Sequence, residues 1–112
     1  MTSNSNSKSI DEENKDFALQ AELCQSLTHP FRLKLIRVLK DGPKKVGDIE
    51  LETERPQPFI SQHLRVLREK GVVTCQRKAN EVYYSLADPK ILDICKLVAD
   101  IIARKSNYTK RS

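Results

Sequence analysis

The chain is poor in the residues and motifs on which enzymes commonly depend. It has no tryptophan and three glycines in 112 residues, and no glycine-rich phosphate loop occurs. The H-E-x-x-H and G-x-S-x-G motifs are missing, as is a recognisable pair of catalytic carboxylates. The sequence therefore predicts a protein that is not an enzyme, with no catalytic residue and no cofactor.

Long apolar runs and ordered cysteine spacing are missing too. No apolar run approaches the roughly 20 residues that cross a bilayer, and the polar N-terminus MTSNSNSKSIDEENK does not resemble a secretory signal. The three cysteines, Cys24, Cys75 and Cys95, are scattered rather than spaced as a disulfide framework. We expect no membrane partner and a reducing, cytoplasmic location.

Positive charge is present, and it is concentrated in one stretch. The chain has 20 basic and 15 acidic residues, a net charge of +5. Residues 55–78 contain six basic residues and one acid, so this stretch carries a surplus equal to that of the whole chain. The concentration indicates a polyanionic partner.

Hydrophobic periodicity predicts five helices. The first begins near Asp16, the second and third cover residues 29–40 and 46–54, the fourth runs from about residue 57 to 70, and the last covers about 88–105. Thr28 is the expected N-cap of the second helix, from which Phe31, Leu35, Val38 and Leu39 face inward, with Leu33 and Ile36 in part. Polar residues 1–14 are expected to be a disordered lead, residues 15–106 one domain, and residues 107–112 a basic flexible tail.

Two strand-like runs follow the fourth helix. Residues 72–77 and 82–86 are rich in β-branched and aromatic side chains, and the polar turn Lys78-Ala79-Asn80-Glu81 joins them. The sequence therefore predicts a mainly α fold with a small β-hairpin. Its helix, tight turn and second helix are typical of a helix-turn-helix, and the hairpin is typical of a wing.

The fourth helix carries side chains suited to the edges of base pairs. Gln57, Ser61, Gln62, His63 and Arg65 are expected to face a major groove, and Arg68 is expected to meet phosphate or guanine. Further contacts with the DNA backbone or minor groove are expected from Arg77 and Lys78 on the wing and from Lys44 and Lys45 at the start of the third helix. The competing interpretation is a solvated helix face and an ordinary charged loop.

Three motifs together resemble the ArsR/SmtB family of winged helix-turn-helix repressors. They are LTHPFRLKLIRVLKDGPKKVGDI, PFISQHLRVLREKGVV and NEVYYSLADPKI, and the resemblance covers about residues 17–104. It implies a homodimer, with order α1-α2-α3-α4-β-β-α5 in each copy, that binds a palindromic operator in double-stranded DNA and is released by a chemical signal. The broad apolar stripes on the first and last helices fit such a dimer, although they could instead cap the core of a monomer.

The metal sites that the resemblance implies lack their ligands here. A Cys-x-Cys pair at the third helix would fall on Lys45 and Gly47, and the carboxylate and histidine site of the last helix matches only at Asp88, its other positions being Lys90, Ile101 and Arg104. We therefore expect no metal. Cys24 and Cys95 lie on helices that pack together in the family, which suggests a thiol switch that responds to an oxidant, a persulfide or a soft metalloid.

The alternative is that each of these two thiols is a small buried apolar group. Cys75, near the first strand, is a second candidate for the reactive thiol. For the chain as a whole, the expected function is a DNA-binding repressor. The alternatives are a winged-helix module that binds a protein partner and never reads DNA, and a constitutive repressor without an inducer.

Overall fold

Five helices and a small antiparallel sheet form the fold. The computed structural model describes residues 8–111, with side chains to residue 105. The elements in chain order are α1 (Ile10–Ser26), α2 (Pro30–Val38), β1 (Lys44–Lys45), α3 (Val46–Thr53), α4 (Gln57–Glu69), β2 (Val73–Lys78), β3 (Glu81–Leu86) and α5 (Lys90–Arg111). The predicted mainly α fold with a winged helix-turn-helix order is confirmed.

The first helix begins earlier than periodicity predicted. Ser9 is its N-cap, and the Ser9 hydroxyl accepts from the Glu12 N–H while the Glu12 carboxylate accepts from the Ser9 N–H. This capping box stabilises a helical start among polar residues, so the predicted disordered lead is wrong for residues 10–14. Residues 1–7 of that lead lie outside the described part of the chain.

The cap of α2 also differs from the prediction. His29 is the N-cap, and its Nδ1 accepts a hydrogen bond from the Phe31 N–H at 3.0 Å. The hydroxyl of Thr28 instead donates to the Gln25 carbonyl at 2.7 Å, at the end of α1. After α2, a 3₁₀ turn (Leu39–Asp41) leads to Gly42, whose φ of 129° favours glycine.

The sheet has three strands in the order β1-β3-β2. The predicted hairpin is present, and its turn is the two residues Ala79 and Asn80, with φ of 50° and 68°. Positive φ at both positions is typical of the two-residue turn whose twist matches that of a β-hairpin. The additional strand is β1, whose Lys44 and Lys45 pair with residues of β3 and therefore precede α3 rather than start it.

The core lies between α2, α3, α4 and the start of β2. Leu33 differs from the prediction because its side chain is 41% exposed on the side of α2 away from this core. The last helix continues to Arg111, past the predicted end at Lys105, and Ser112 of the predicted tail lies outside the described residues. The buried apolar residues are Phe31, Leu35, Ile36, Leu39, Ile49, Ile60, Leu64, Leu67, Val72, Val73 and Ile91.

Candidate nucleic-acid interface

A three-residue turn sets the direction of α4 relative to α3. Glu54 ends α3 in the left-handed region, with φ of 56°, and its N–H donates to the Glu50 carbonyl at 2.8 Å. Pro56 then caps α4 in an extended conformation, which prevents one continuous helix. Ile60, Leu64 and Leu67 bury one side of α4 against the core, so its other side faces solvent.

The outer side of α4 is polar and cationic. Gln62, Arg65 and Arg68 are exposed, and Ser61 is half-buried beside them. Because residues in a helix are about 100° apart, Ser61, Arg65 and Arg68 lie on one side of the helix. The Gln57 amide donates to the Ser61 hydroxyl at 2.7 Å, and Arg65 Nε lies 4.0 Å from a Glu69 carboxylate oxygen. Both contacts are exposed, and an exposed ion pair is weak enough to exchange for a DNA phosphate.

His63, one of the predicted groove residues, packs against aromatic side chains at one edge of α4. Its half-buried ring lies on the side of α4 next to α2, with ring centroids 4.3 Å from His29, 4.7 Å from Phe59 and 5.4 Å from Phe31. The ring therefore lies at the edge between the packed side of α4 and its outer side, and the groove contact of His63 stays a prediction. Burial, followed by the charges of His29, Arg32 and Arg55, lowers the pKa of His63 below its usual value.

This lowered pKa makes the fold sensitive to acid. The folded state binds a proton at His63 less readily than the unfolded state, so its contribution to stability is fully present above the ordinary histidine pKa of about 6.5. The contribution is lost as the pH falls from there through the lower pKa of the folded state. We expect the unfolding free energy of His63→Gln to depend less steeply on pH between about 7 and 5 than that of the unaltered protein. The difference in slope should correspond to no more than one bound proton.

Denaturant titrations at several pH values test this expectation, with protein concentration and salt held fixed. Arg68→Gln, one turn further along α4 and exposed, is the matched control and should keep the slope of the unaltered protein. Equal slopes in the His63→Gln variant and the unaltered protein would contradict the assignment.

The wing places its cations at the tip, as predicted. Arg77 lies opposite Val82 and Lys78 opposite Glu81, the last pair before the turn, and both basic side chains are exposed. The Thr74 and Ser85 hydroxyls lie 3.3 Å apart across the hairpin, which links the two strands near its base. The tip therefore presents two positive charges on a hairpin whose two strands are linked by hydrogen bonds.

Lys44 and Lys45 are ion-paired rather than free. Lys44 Nζ lies 2.7 Å from a Glu52 carboxylate oxygen and Lys45 Nζ 3.0 Å from that of Glu81. The hydrogen bond to Glu52 raises the pKa of Lys44, and the hydrogen bond to Glu81 raises the pKa of Lys45. To contact DNA, each lysine would have to exchange its carboxylate partner for a phosphate. The DNA contacts of Lys44 and Lys45 therefore stay predictions, and the alternative is that both lysines serve only in these ion pairs.

Arg55 is a cation at this surface that sequence reasoning left out of the site. Its guanidinium carbon lies 4.1 Å from the centroid of the Phe59 ring, a cation–π contact across the start of α4. The contact holds a positive charge beside the helix N-terminus, where the backbone N–H groups also favour an anion. The signal in the sequence was an arginine four residues before an aromatic residue at a helix start.

The three cysteines fall into two places. Cys24 and Cys95 line the same open groove of about 370 Å³ between α1, α2 and α5, which we call the apolar groove, whereas Cys75 is exposed on β2. Burial raises the pKa of the Cys95 thiol, which therefore stays protonated and less nucleophilic. The other residues lining the apolar groove are Leu27, Leu33, Ile94, Val98, Ala99 and Ile102.

Other binding chemistry finds little support in the described residues. Between residues 8 and 105, no three histidine, cysteine, aspartate or glutamate side chains cluster as metal ligands would. Within the same part of the chain, the helices fall short of the length and apolar character that crossing a membrane requires. The polar face of α4 and the wing remain the most developed candidate site.

Comparison with known proteins assigns this architecture. The profile described as "Bacterial regulatory protein, arsR family" matches residues 29–74, which hold α2, α3, α4 and the start of the wing. The HTH-type transcriptional regulator Rv0081 of Mycobacterium tuberculosis is 33% identical over 93 residues, which are 79% of this chain and 78% of that protein. The chain belongs to the ArsR family. Its resemblance to this family, seen first in three motifs, is confirmed.

Solved structures agree with the family assignment. The crystal structure of Rv0081 aligns with a TM-score of 0.74 at 30% identity, covering 83% of this chain and 94% of that one. The homodimeric winged helix-turn-helix DNA-binding domain of Mb0332 from Mycobacterium bovis aligns with a TM-score of 0.80, covering 91% and 94%, but at 20% identity it shows the fold alone. Against the "Biofilm growth-associated repressor" of Agrobacterium fabrum, the ArsR-family chain is 43% identical over 70 residues, 62% of itself and 60% of that relative's length.

Proposed function

We propose that this ArsR-family chain is a transcriptional repressor that binds a palindromic DNA operator as a homodimer. The observation that carries the proposal is the outer side of α4, where exposed Gln62, Arg65 and Arg68 stand on a helix anchored by a buried apolar side. The named activity of the Agrobacterium repressor supports the same conclusion. A helix presented in this way by a helix-turn-helix fits the major groove.

Each polar residue of α4 has a distinct chemical role in the proposed complex. The Gln62 amide can donate to and accept from an adenine edge, and Arg65 can donate two hydrogen bonds to guanine or meet a phosphate. The Gln57–Ser61 hydrogen bond holds both side chains at the start of the helix until a base edge or phosphate replaces it. On the wing, Arg77 and Lys78 supply charge to the backbone or the minor groove.

The proposed homodimer follows from apolar surface that the single chain leaves uncovered. Phe17 on α1 is 56% exposed, and Leu97 and Ile101 on α5 are 63% and 57% exposed. A second copy would cover these side chains and would place two α4 helices about 34 Å apart, one turn of DNA. The Mycobacterium bovis domain of the same fold is homodimeric, which supports this arrangement.

Two other functions remain as alternatives. A module that docks a protein partner through α4 should expose apolar anchors there, and the outer side of this α4 carries amide and guanidinium groups instead. A constitutive repressor would share the DNA surface and lack a response to any signal. The first alternative conflicts with the composition of α4. The second can be distinguished from an inducible repressor only by measuring DNA binding in the presence of an inducer.

Substitutions on α4 test the proposed function. A site for the protein is first selected from random double-stranded DNA, and affinities are then measured at fixed salt, since phosphate contacts make affinity fall steeply with ionic strength. We expect Gln62→Ala and Arg65→Ala each to lower discrimination at one base pair by about 1–3 kcal/mol. The reason is that each removes hydrogen bonds to one base edge.

Lys78→Ala is the matched control because its charge is on the wing. It should weaken binding to all sequences alike and flatten the dependence of affinity on salt, while base preference stays the same. If Gln62→Ala and Arg65→Ala leave the preference of the selected site unaltered, α4 does not read bases as proposed.

A thiol signal is the finer part of the proposed function. Cys24 and Cys95 share the apolar groove, which supports a switch in which both thiols take part. The raised pKa of Cys95 weighs against fast reaction, and Cys75 on β2 stays a separate candidate. An oxidant, a persulfide or a soft metalloid such as arsenite remains the expected class of inducer for this switch.

Serine at Cys24 and Cys95 together tests the switch. Serine removes the reactive sulfur with little change in volume, so we expect the double variant to bind its selected DNA as the reduced protein does and to lose the response to oxidant, persulfide or arsenite. Cys75→Ser is the control and should respond normally. A double variant that still responds would remove the switch from these two positions.

A further inference from the structure

A second groove adjoins the apolar groove on the same side of α5. Its volume is about 280 Å³, and it is lined by Arg37 of α2 and Lys40 of the 3₁₀ turn after α2, with Leu92, Cys95, Lys96 and Ala99 of α5. We call it the cationic groove. Cys95 and Ala99 line both grooves, so together they form one cleft with an apolar end and a positively charged end.

The cations at the charged end are not engaged in ion pairs within the described part of the chain. No ion pair or side-chain hydrogen bond there involves the charged groups of Arg37, Lys40 or Lys96. The acids nearest in sequence on α5 are Asp93 and Asp100, and neither lines the groove. Arg37 and Lys40 also line a separate groove together with Asp41 and Glu52. Three positive charges therefore converge on one small opening.

The cleft lies away from the surface proposed to read DNA. The Phe31 ring of α2 contacts the Phe59 ring of α4, with centroids 4.8 Å apart, on the core side of α2. Leu33 and Arg37 lie on the opposite side of α2, at a helical spacing of four, and Lys40 follows in the 3₁₀ turn. These cations are therefore poorly placed to serve the same duplex as α4.

We propose that the cleft between α2 and α5 binds a small amphiphilic carboxylate, with its head among Arg37, Lys40 and Lys96 and its aliphatic chain along Cys95, Ala99 and the apolar groove. Guanidinium and ammonium groups donate charge-assisted hydrogen bonds to a carboxylate. From Leu33 to Lys40, the cleft runs roughly 10 Å along α2, which suits a medium-chain fatty acid. The apolar groove, at about 370 Å³, lies within the roughly 300–1,000 Å³ found for ligand sites, and the cationic groove adds about 280 Å³.

A regulatory consequence follows if the proposed function holds. The cleft contacts α1, α2 and α5, and α2 also carries the rings that pack against His63 of α4. A ligand that changes how α5 packs on α2 would therefore change how α4 packs against α2. This consequence rests on the proposed function, whereas binding of the carboxylate itself does not.

Titration with octanoate, followed by amide chemical shifts of the reduced full-length protein, tests the binding site. We expect the largest shifts at Arg37, Cys95 and Ala99. Octanol supplies the chain without the charge, and acetate supplies the charge without the chain, so both should bind more weakly. Shifts confined to Leu97 and Ile101, on the outer side of α5, would overturn the proposal and assign the surface to a second copy of the chain.

Removing two charges from the cleft provides the decisive comparison. Arg37→Gln combined with Lys96→Gln should weaken octanoate by about tenfold or more, because charge-assisted hydrogen bonds are lost. Lys15→Gln combined with Lys90→Gln makes the same change in net charge outside the cleft and should leave octanoate affinity unaltered. Equal octanoate affinity for both double variants, or octanol binding as tightly as octanoate, would overturn the proposal.

A parallel measurement with selected DNA separates failure of this site from failure of the proposed function. Octanoate binding without any sequence-specific DNA binding would sustain the cleft and contradict the repressor. Specific DNA binding without octanoate binding would sustain the repressor and contradict the cleft. A flatter salt dependence of DNA binding in the cleft variant than in its charge-matched control would also overturn the proposal, because it would assign the cations to the DNA backbone.

Discussion

The double substitution Leu97→Glu and Ile101→Glu should convert the dimer to single protomers and lower the affinity for the operator by about 10²-fold or more. The two side chains lie one turn apart on α5 and are the exposed apolar residues outside both grooves on that helix. Burying a carboxylate against an apolar partner is unfavourable, and like charges from two copies would repel. A dimer on two half-sites binds about 10²–10⁴ times more tightly than one protomer on one half-site, and the variant would lose this gain.

The measurement is sedimentation at the concentrations used for DNA binding, followed by affinity for the selected site. Lys15→Ala combined with Lys90→Ala changes the net charge by the same two units and should remain a dimer, which separates electrostatic repulsion by DNA from loss of the interface. A glutamate variant that sediments as a dimer would contradict the assignment of this face.

Alanine at Leu64 should destabilise the fold by about 2–5 kcal/mol. Leu64 is 1% exposed and lies in the centre of the buried side of α4, so its loss removes apolar burial and leaves a cavity. Because this side of α4 holds the outer side in position, DNA affinity should fall as the folded fraction falls. The expected loss is a large part of the total stability of a small domain.

Denaturant titration at fixed protein concentration measures this effect, since a dimer's stability depends on concentration. Arg68→Ala, four residues along the same helix and exposed, should change stability by no more than about 0.5 kcal/mol while weakening DNA binding. If Leu64→Ala is as stable as Arg68→Ala, the core described for α4 is wrong.

The framework of the fold could be predicted from the chain because its signals are local and agree with one another. The apolar spacing of Ile60, Leu64 and Leu67 placed one side of α4 in the core, and all three are buried. Pro56 lies in the turn between α3 and α4, where the sequence has a helix-breaking residue, and the polar turn between two apolar runs placed the hairpin. Periodicity and turn chemistry depend on neighbours in sequence, which a single sequence displays directly.

The differences arose where a tertiary contact or a cap decided the outcome. The capping box of Ser9 and Glu12 extends a helix into residues whose composition suggested disorder. His29 could be recognised as a cap only once its ring was seen beside the Phe31 N–H and the His63 ring. The pairing of β1 with β3 joins residues about forty positions apart, and no local pattern records it.

The candidate site divides in the same way. The residue types on α4 and at the wing tip indicated a nucleic-acid surface, and the structure places Gln62, Arg65, Arg77 and Lys78 in solvent as expected. Which polar residue of α4 packs against aromatic rings depended on the position of α2, and this placed His63, half-buried, at the edge of the surface. The convergence of cations from α2 and α5 was invisible in the sequence because the two helices lie more than fifty residues apart.

Amide chemical shifts on adding the selected duplex test whether α4 and the wing form the surface that contacts DNA. We expect shifts concentrated at Ser61, Gln62 and Arg65 on α4 and at Arg77 and Lys78 on the wing, in equal measure for both copies of a symmetric dimer. Shifts concentrated on α1 and α5, with α4 unaffected by a duplex that binds tightly, would contradict it.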